Sequence, residues 1–115
     1  MAFNELDRKR IENAMGKFLA KRRPPPHIRP ELDIGFRLID QSVEIFEIRP
    51  QWDDPSIVHQ YPIAKTTYVR TRNLWKIFWQ RADLKWHGYE PASMVKTIDE
   101  FLAVVDADPY GCFFG

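Results

Sequence analysis

Apolar and polar residues alternate along two neighbouring stretches of the chain, residues 32–39 and 42–49. Successive side chains of a strand point to opposite faces, so this alternation is typical of two half-buried β-strands. The residues between them, Asp40 and Gln41, fit a two-residue turn. We therefore predict an antiparallel hairpin with these partners: Leu38 and Val43, Phe36 and Ile45, Arg37 and Glu44.

A second alternating region covers residues 63–70, 74–81 and 84–89. Turns at Thr71–Arg72 and Ala82–Asp83 would fold these stretches into consecutive antiparallel strands. Each aromatic side chain buries about 150–250 Å², so tryptophans gathered on one face would form much of the interior. The predicted partners are Tyr68 and Trp75, Thr66 and Ile77, Ala64 and Trp79, and Trp79 and Trp86.

Prolines mark two connections between these elements. Residues 50–61 contain two prolines and an Asp-Asp-Pro-Ser sequence, which together predict a loop. Residues 22–30 read RRPPPHIRP. Proline lacks an N–H and restricts the residue before it, so we interpret this second stretch as an extended, stiff connector.

Helical periodicity appears at both ends of the chain. From Asn4, a suitable N-cap, to Arg22, apolar residues recur every three or four positions. These residues are Leu6, Ile11, Ala14, Met15, Phe18 and Leu19. A second, shorter helix is predicted to begin at Thr97, where TIDE fits a capping box with Glu100. The aromatic tail, with Phe113 and Phe114, is expected to dock on the body or on another subunit.

These elements predict one α+β domain spanning residues 1–115. It would have an N-terminal helix, a mainly antiparallel five-strand meander sheet and a short C-terminal helix. Both helices are expected on the tryptophan face. Glu47 and Arg49 then fall on that otherwise apolar side, near the end of the first hairpin, and we interpret them as an ion pair.

Composition places the chain among soluble globular domains. It has 115 residues, of which 44% are hydrophobic, enough for one core without covalent cross-links. The single Cys112 cannot form an internal disulfide. No apolar run approaches the roughly 18 residues that span a bilayer, and no secretory signal is evident. A cytoplasmic location without membrane association is therefore expected.

The formal net charge of +1 conceals alternating bands of charge. Residues 1–30 carry eight basic and three acidic groups, and residues 31–60 carry two basic and seven acidic groups. Residues 61–90 are again basic and residues 91–115 acidic. Such bands can form a basic surface for an anionic partner, or they can face each other and cancel within the fold.

Several stretches of the chain carry a resemblance to a known family. They are KRRPPPHIRPELDIGFR, QSVEIFEIRP, VRTRNLWKIFWQRADLKWHGYEP and the closing DPYGCFFG. With these stretches the chain resembles a small bacterial family of uncharacterised single-domain proteins, a domain of unknown function. The resemblance covers nearly the whole chain. It implies no activity and no catalytic positions.

The predicted hairpins leave a second sheet face on which lysines alternate with aromatic residues. Ammonium groups can contact phosphates and aromatic rings can stack on bases, so this face suggests a non-enzymatic binding module for single-stranded nucleic acid or another polyanion. Alternatively, the lysine stems cover a solvated sheet face and the rings lie under a helix. The candidate binding residues are Lys65, Lys76, Phe78, Lys85, His87 and Tyr89.

Two other classes of function stay open. Glu47 with Asp33 or Glu44 would suit a metal-dependent phosphodiesterase, although Arg49 stands where such nucleases use a lysine. The aromatic tail and an exposed sheet edge would suit a structural or interaction protein, most simply a homodimer.

Metal and thiol chemistry are not indicated. His27, His59, His87 and Cys112 lack zinc-ligand spacing, so we predict no metal site and no cofactor. The aromatic neighbours of Cys112 suggest a buried thiol with a raised pKa, which is unsuited to catalysis.

Overall fold

The computed structural model describes residues 3–114, which form one antiparallel sheet and two α-helices. The helices are α1 (Glu5–Arg22) and α2 (Ile98–Ala107). The strands are β1 (Asp33–Ile39), β2 (Ser42–Gln51), β3 (Asp54–Val69), β4 (Leu74–Gln80), β5 (Trp86–Gly88) and β6 (Met94–Val95). The first five strands follow one another across the sheet, and β6 pairs with β4. The predicted α+β class and five-strand meander are confirmed, with a two-residue sixth strand added.

The registers of the β1–β2 and β3–β4 hairpins agree with the alternation in the sequence. In the first, Arg37 lies opposite Glu44 across a turn in which Asp40 has φ 52°. Aspartate tolerates this left-handed conformation better than most residues. The other predicted partners are also confirmed: Leu38 and Val43, Phe36 and Ile45, Tyr68 and Trp75, Thr66 and Ile77, Ala64 and Trp79.

Both helices pack against the sheet face that carries Trp75 and Ile77, which we call the core face. Asn4 caps α1 by accepting a hydrogen bond from the Asp7 N–H at 2.8 Å. Leu6 is exposed, one turn before the buried stripe of α1 begins. The helical side chains buried in the core cluster are Ile11, Ala14, Met15, Phe18, Ile98, Phe101, Leu102 and Val105.

The C-terminal tail docks on the body of the molecule, one of the two outcomes expected from its sequence. Thr97 caps α2 by accepting from the Glu100 N–H at 3.1 Å, and Asp108 is the C-cap at its other end. Phe113 is buried, and its ring centroid lies 4.8 Å from that of Tyr89. The Arg22 guanidinium of α1 lies 4.0 Å from the centroid of the Phe114 ring. The tail therefore closes the end of the helical layer.

Strand β5 has a different register from the one predicted. The turn between β4 and β5 contains three residues, because Leu84 donates its N–H to Arg81 and adopts φ 63°. A turn closed by a left-handed third residue is a common three-residue hairpin loop. The pairing moves by one residue, so Trp86 lies opposite Gln80, and His87 lies opposite Trp79. The prediction that Trp86 shares the core face with Trp75 and Trp79 was wrong.

The loop predicted for residues 50–61 was also wrong, because this region forms two paired strands. β2 continues to Gln51 and β3 begins at Asp54, with Pro50 opposite Val58. We call residues 49–59 the arm. β1 reaches only as far as Ile48 on β2, so within residues 3–114 the arm has no third strand beside it. Prolines are tolerated at such edges, where no neighbouring strand needs their missing N–H.

A β-bulge interrupts the pairing of β2 with β3 between Ile45 and Phe46, before the arm begins. Ile45 pairs with Ala64 but the next residue, Phe46, pairs with Pro62, so Ile63 is an extra residue on β3. Both Ile63 and Ala64 are buried in the core cluster. The bulge therefore reverses the alternation of side chains along β3 between the sheet body and the arm.

The proline-rich connector is turned rather than extended. The Ile28 N–H donates to the Pro25 carbonyl at 2.9 Å, and the Glu31 N–H donates to the Ile28 carbonyl at 2.8 Å. The prolines restrict residues 24–26, but the residues after them keep their N–H groups and can close turns. The prediction of an extended segment was therefore wrong for residues 25–30.

A bidentate ion pair ties this connector to β1. Arg23 donates to Asp33 from Nε at 2.8 Å and from Nη2 at 2.7 Å. These hydrogen bonds from Arg23 hold the pKa of the Asp33 carboxyl below its ordinary value, and the Ile34 N–H acts in the same direction. The folded state therefore favours the ionised carboxylate.

Because the pKa of Asp33 is lower in the folded state, the free energy of unfolding decreases at acidic pH. The stabilisation is present above the unfolded pKa of about 3.9 and is lost as pH falls through the lower folded pKa. We expect Arg23→Gln to lose less unfolding free energy than the wild type between about pH 5 and about pH 2. Urea unfolding across this range measures the difference, with the exposed Arg8→Gln as a charge-matched control. An Arg23→Gln profile as steep as that of the wild type would contradict the expectation.

Candidate functional site

The sheet face opposite the helices, which we call the outer face, carries several of the predicted binding residues. Lys65 lies directly opposite Phe78, and Lys76 lies opposite Thr67. Their neighbours in sequence face the other way: Ala64 and Ile77 belong to the core cluster, and Thr66 is buried. Neither helix covers the outer face in the part of the chain that the structure describes, because the buried residues of both helices belong to that cluster.

Lys65 is the centre of an aromatic group on this face. Its ammonium nitrogen lies 5.0 Å from the ring centroid of Phe78 and 5.0 Å from that of Trp86. Both distances fall within the range of cation–π attraction. The three side chains come from β3, β4 and β5, and each is half-buried. They place a cation beside two rings on an open sheet surface.

Charge on the outer face is balanced at one end and positive at the other. The Arg37 guanidinium pairs with Glu44 at 3.8 Å and donates to Gln60 Oε1 at 3.0 Å. Glu44 also stands opposite Lys65 in the register, but no ion pair joins them. Lys65 and the exposed Lys76 form no ion pair with any residue from 3 to 114. These two lysines therefore make this end of the face basic.

Phe46 forms the apolar end of the outer face and is buried without a helix over it. Its ring lies against Gly35, where an added Cβ would come within 2.9 Å of the ring. The Arg37 guanidinium lies 4.8 Å from the ring centroid on the exposed side. The absence of a side chain at Gly35 thus allows a flat, closely packed surface on β1 and β2.

The structure places three of the six predicted binding residues elsewhere. His87 and Tyr89 lie on the core side, since His87 pairs with Trp79 and the Tyr89 N–H donates to Ile77. Tyr89 is only 1% exposed. Lys85 is exposed in the turn before β5 rather than on a strand. The outer face instead gains Trp86, which sequence reasoning missed because it assumed a two-residue turn.

His87, Tyr89 and Cys112 line a cavity of about 360 Å³ beside β5. His87 Nε2 lies 2.9 Å from the Asp83 carboxylate. Burial raises the pKa of the Cys112 thiol, and the nearby Asp108 carboxylate acts in the same direction. The pKa of the thiol is thus shifted in the direction expected from its aromatic neighbours, and a raised pKa lowers the thiolate fraction.

The acidic residues considered for metal binding are each held by an arginine. Glu47 pairs with Arg49 at 3.3 Å, which confirms the predicted ion pair, and Asp33 is bound by Arg23. Within residues 3–114, no group of three or more histidine, cysteine or acidic side chains lies close enough to hold a metal ion. The geometry therefore offers no support for the phosphodiesterase alternative.

The fold and the outer face together define a small α+β domain with one open face on an antiparallel sheet. The chain belongs to the family described as a domain of unknown function (DUF3024), whose model matches residues 3–115. This match confirms the resemblance to a family without an assigned activity. No curated protein and no solved structure matches the sequence. Among the described residues, no helix is long and apolar enough to cross a membrane.

Proposed function

We propose that this domain is a non-enzymatic binding module for single-stranded nucleic acid, with the outer face as its contact surface. The observation that carries the proposal is the position of the Lys65 ammonium, 5.0 Å from the rings of both Phe78 and Trp86. Single-strand binding needs aromatic rings for bases and cations for phosphates in the same groove or face. The outer face supplies both within three adjacent strands.

Each residue of this surface has a distinct role in the proposal. Phe78 and Trp86 stack on bases, which are accessible in a single strand but not inside a duplex. Lys65 and Lys76 contact the phosphates on either side. Lys85 is not assigned a contact, because it lies in the turn before β5. His87 and Tyr89 are excluded from the contact set because they lie on the core side.

The test is a fluorescence anisotropy titration with short labelled single-stranded DNA and RNA at low salt. We expect Trp86→Ala to weaken binding by about 5- to 150-fold, because stacking contributes about 1–3 kcal/mol per base. Lys65→Gln should reduce the slope of log K against log salt by about 0.7, the value for one phosphate contact on a single strand.

Two control variants separate this surface from general charge effects. Lys9→Gln removes the same charge from exposed α1, and His87→Gln alters a residue of the core side. Both should bind as the wild type does. Binding that is absent at micromolar protein, or that is unchanged in both Trp86→Ala and Lys65→Gln, would overturn the proposed function.

A further inference from the structure

The tip of the arm exposes an aromatic side chain next to two acidic residues. Trp52 is 92% exposed, the highest value among the large apolar residues from 3 to 114. Asp53 and Asp54 follow it directly, and neither forms an ion pair within the described residues. Ile57 and Val58 of the arm, and Tyr61 next to it, are also exposed. Tryptophan is among the residues enriched at binding hot spots, so the exposed Trp52 suits the tip to a contact with another surface.

A cleft of about 510 Å³ lies at the opposite end of the molecule, between α1, the β3–β4 turn and the start of α2. Its floor is aromatic. The Trp75 ring centroid lies 5.8 Å from that of Phe3 and 5.0 Å from that of Tyr68. The volume is within the range of about 300–1,000 Å³ that is usual for ligand pockets, so an indole side chain fits.

The charges around this cleft complement those of the arm tip. Arg10, Lys17 and Lys96 line the cleft, and none of them forms an ion pair in the described part of the chain. Asp7 and Asp99 also line it, so the cleft carries an excess of one positive charge. The tip carries two negative charges at Asp53 and Asp54. Both surfaces therefore combine aromatic contact with opposite charge.

The positions of the tip and the cleft exclude contact within one chain. They lie at the two ends of β3, which has 16 residues, in a molecule whose longest dimension is 46 Å. Two copies placed side by side and antiparallel would bring each tip to the cleft of its partner. A two-fold axis relates the two contacts, so the assembly closes as a dimer.

We propose that two copies of this chain form such a dimer, with Trp52 of each copy inserted into the cleft of the other. Trp52 then packs on the aromatic floor of the cleft. Asp53 and Asp54 lie against the basic residues at its margin. The proposal is independent of the nucleic-acid function, because the cleft is on the core side and the outer face is not used.

The experiment measures mass in solution by size-exclusion chromatography with light scattering and by sedimentation velocity. The wild-type chain of 13.7 kDa is expected to run at twice that mass. Trp52→Ala should raise the dimer dissociation constant at least about 30-fold, the effect of a binding hot spot of 2 kcal/mol or more. Leu84→Ala, which truncates another exposed apolar residue in a turn, should leave the dimer unchanged.

A charge exchange tests the pairing of tip and cleft directly. Asp53→Lys with Asp54→Lys, or Lys17→Glu with Lys96→Glu, should each weaken the dimer, and the four changes in one chain should restore it. Circular dichroism verifies that every variant is folded. A wild-type chain that stays monomeric, a dimer insensitive to Trp52→Ala, or an open series of higher oligomers would each overturn the proposal.

Discussion

Phe101→Ala is expected to lower the free energy of unfolding by about 3–5 kcal/mol. Phe101 is 0% exposed and lies on α2 in the cluster that joins both helices to the core face. Its removal takes away the transfer free energy of the ring and leaves a cavity between helix and sheet. A domain of this size is stabilised by about 5–15 kcal/mol in total, so one such change removes a large share.

Urea unfolding followed by circular dichroism measures this loss, because the midpoint shifts while the slope stays the same. Leu84→Ala is the matched control. Leu84 is 77% exposed in the β4–β5 turn, and its truncation should change stability by no more than about 0.5 kcal/mol. A decrease in the free energy of unfolding of less than about 1 kcal/mol for Phe101→Ala would contradict the close packing of α2 on the sheet.

Asp108→Ala should destabilise the protein by about 2–3 kcal/mol, because hydrogen bonds to a charged group contribute about 1.5–3 kcal/mol. Asp108 Oδ1 accepts from the Phe113 N–H at 3.1 Å, and Oδ2 accepts from the Phe114 N–H at 2.9 Å. The residue also ends α2 with φ 36°, a conformation that alanine adopts less readily than aspartate. The substitution therefore weakens the C-cap of α2 and removes the two hydrogen bonds that hold the tail.

Asp108→Asn separates these two contributions. Asparagine tolerates the left-handed conformation and keeps one carbonyl acceptor, so about half of the loss should remain. Urea unfolding gives the stability of each variant, and hydrogen exchange at the Phe113 and Phe114 amides reports the tail itself. Equal stability of Asp108→Ala and the wild type would show that the tail is held by ring packing alone.

The sequence was sufficient for the elements whose turns are short and whose apolar faces are clear. The β1–β2 and β3–β4 registers were predicted correctly, because one buried face permits only one pairing parity once the turn is placed. The N-cap at Asn4 and the capping at Thr97 were also predicted, since each places a side-chain acceptor before a helical stripe.

The outer face was only partly predictable, because its composition depends on one turn. Leucine rarely adopts a positive φ, so nothing in the sequence marked Leu84 as the closing residue of a three-residue turn. One extra turn residue exchanged the faces of Trp86 and His87. Lys65, Lys76 and Phe78 were placed correctly because they precede that turn.

The strands of the arm were not predicted, for a different reason. Its strands are held by pairing with each other rather than by a buried face, so residues 54–61 show no regular alternation. Pro50 and Pro55 argue against a central strand and so suggested a loop, but prolines are compatible with an edge strand. The cleft likewise depends on contacts between distant segments, since Phe3 and Trp75 meet only in the folded chain.

The extra residue at Ile63 changes which β3 side chains reach the core cluster. On the body side of the bulge, odd-numbered residues of β3 such as Lys65 point outward, whereas on the arm side Tyr61 pairs with Glu47 and points the other way. Because β2 runs through this point without an extra residue, loss of Ile63 would leave Phe46 opposite Pro62 and would not change which side chains the arm presents on each side. The extra residue instead adds one more apolar side chain to the interior, so its loss would leave a void under the sheet.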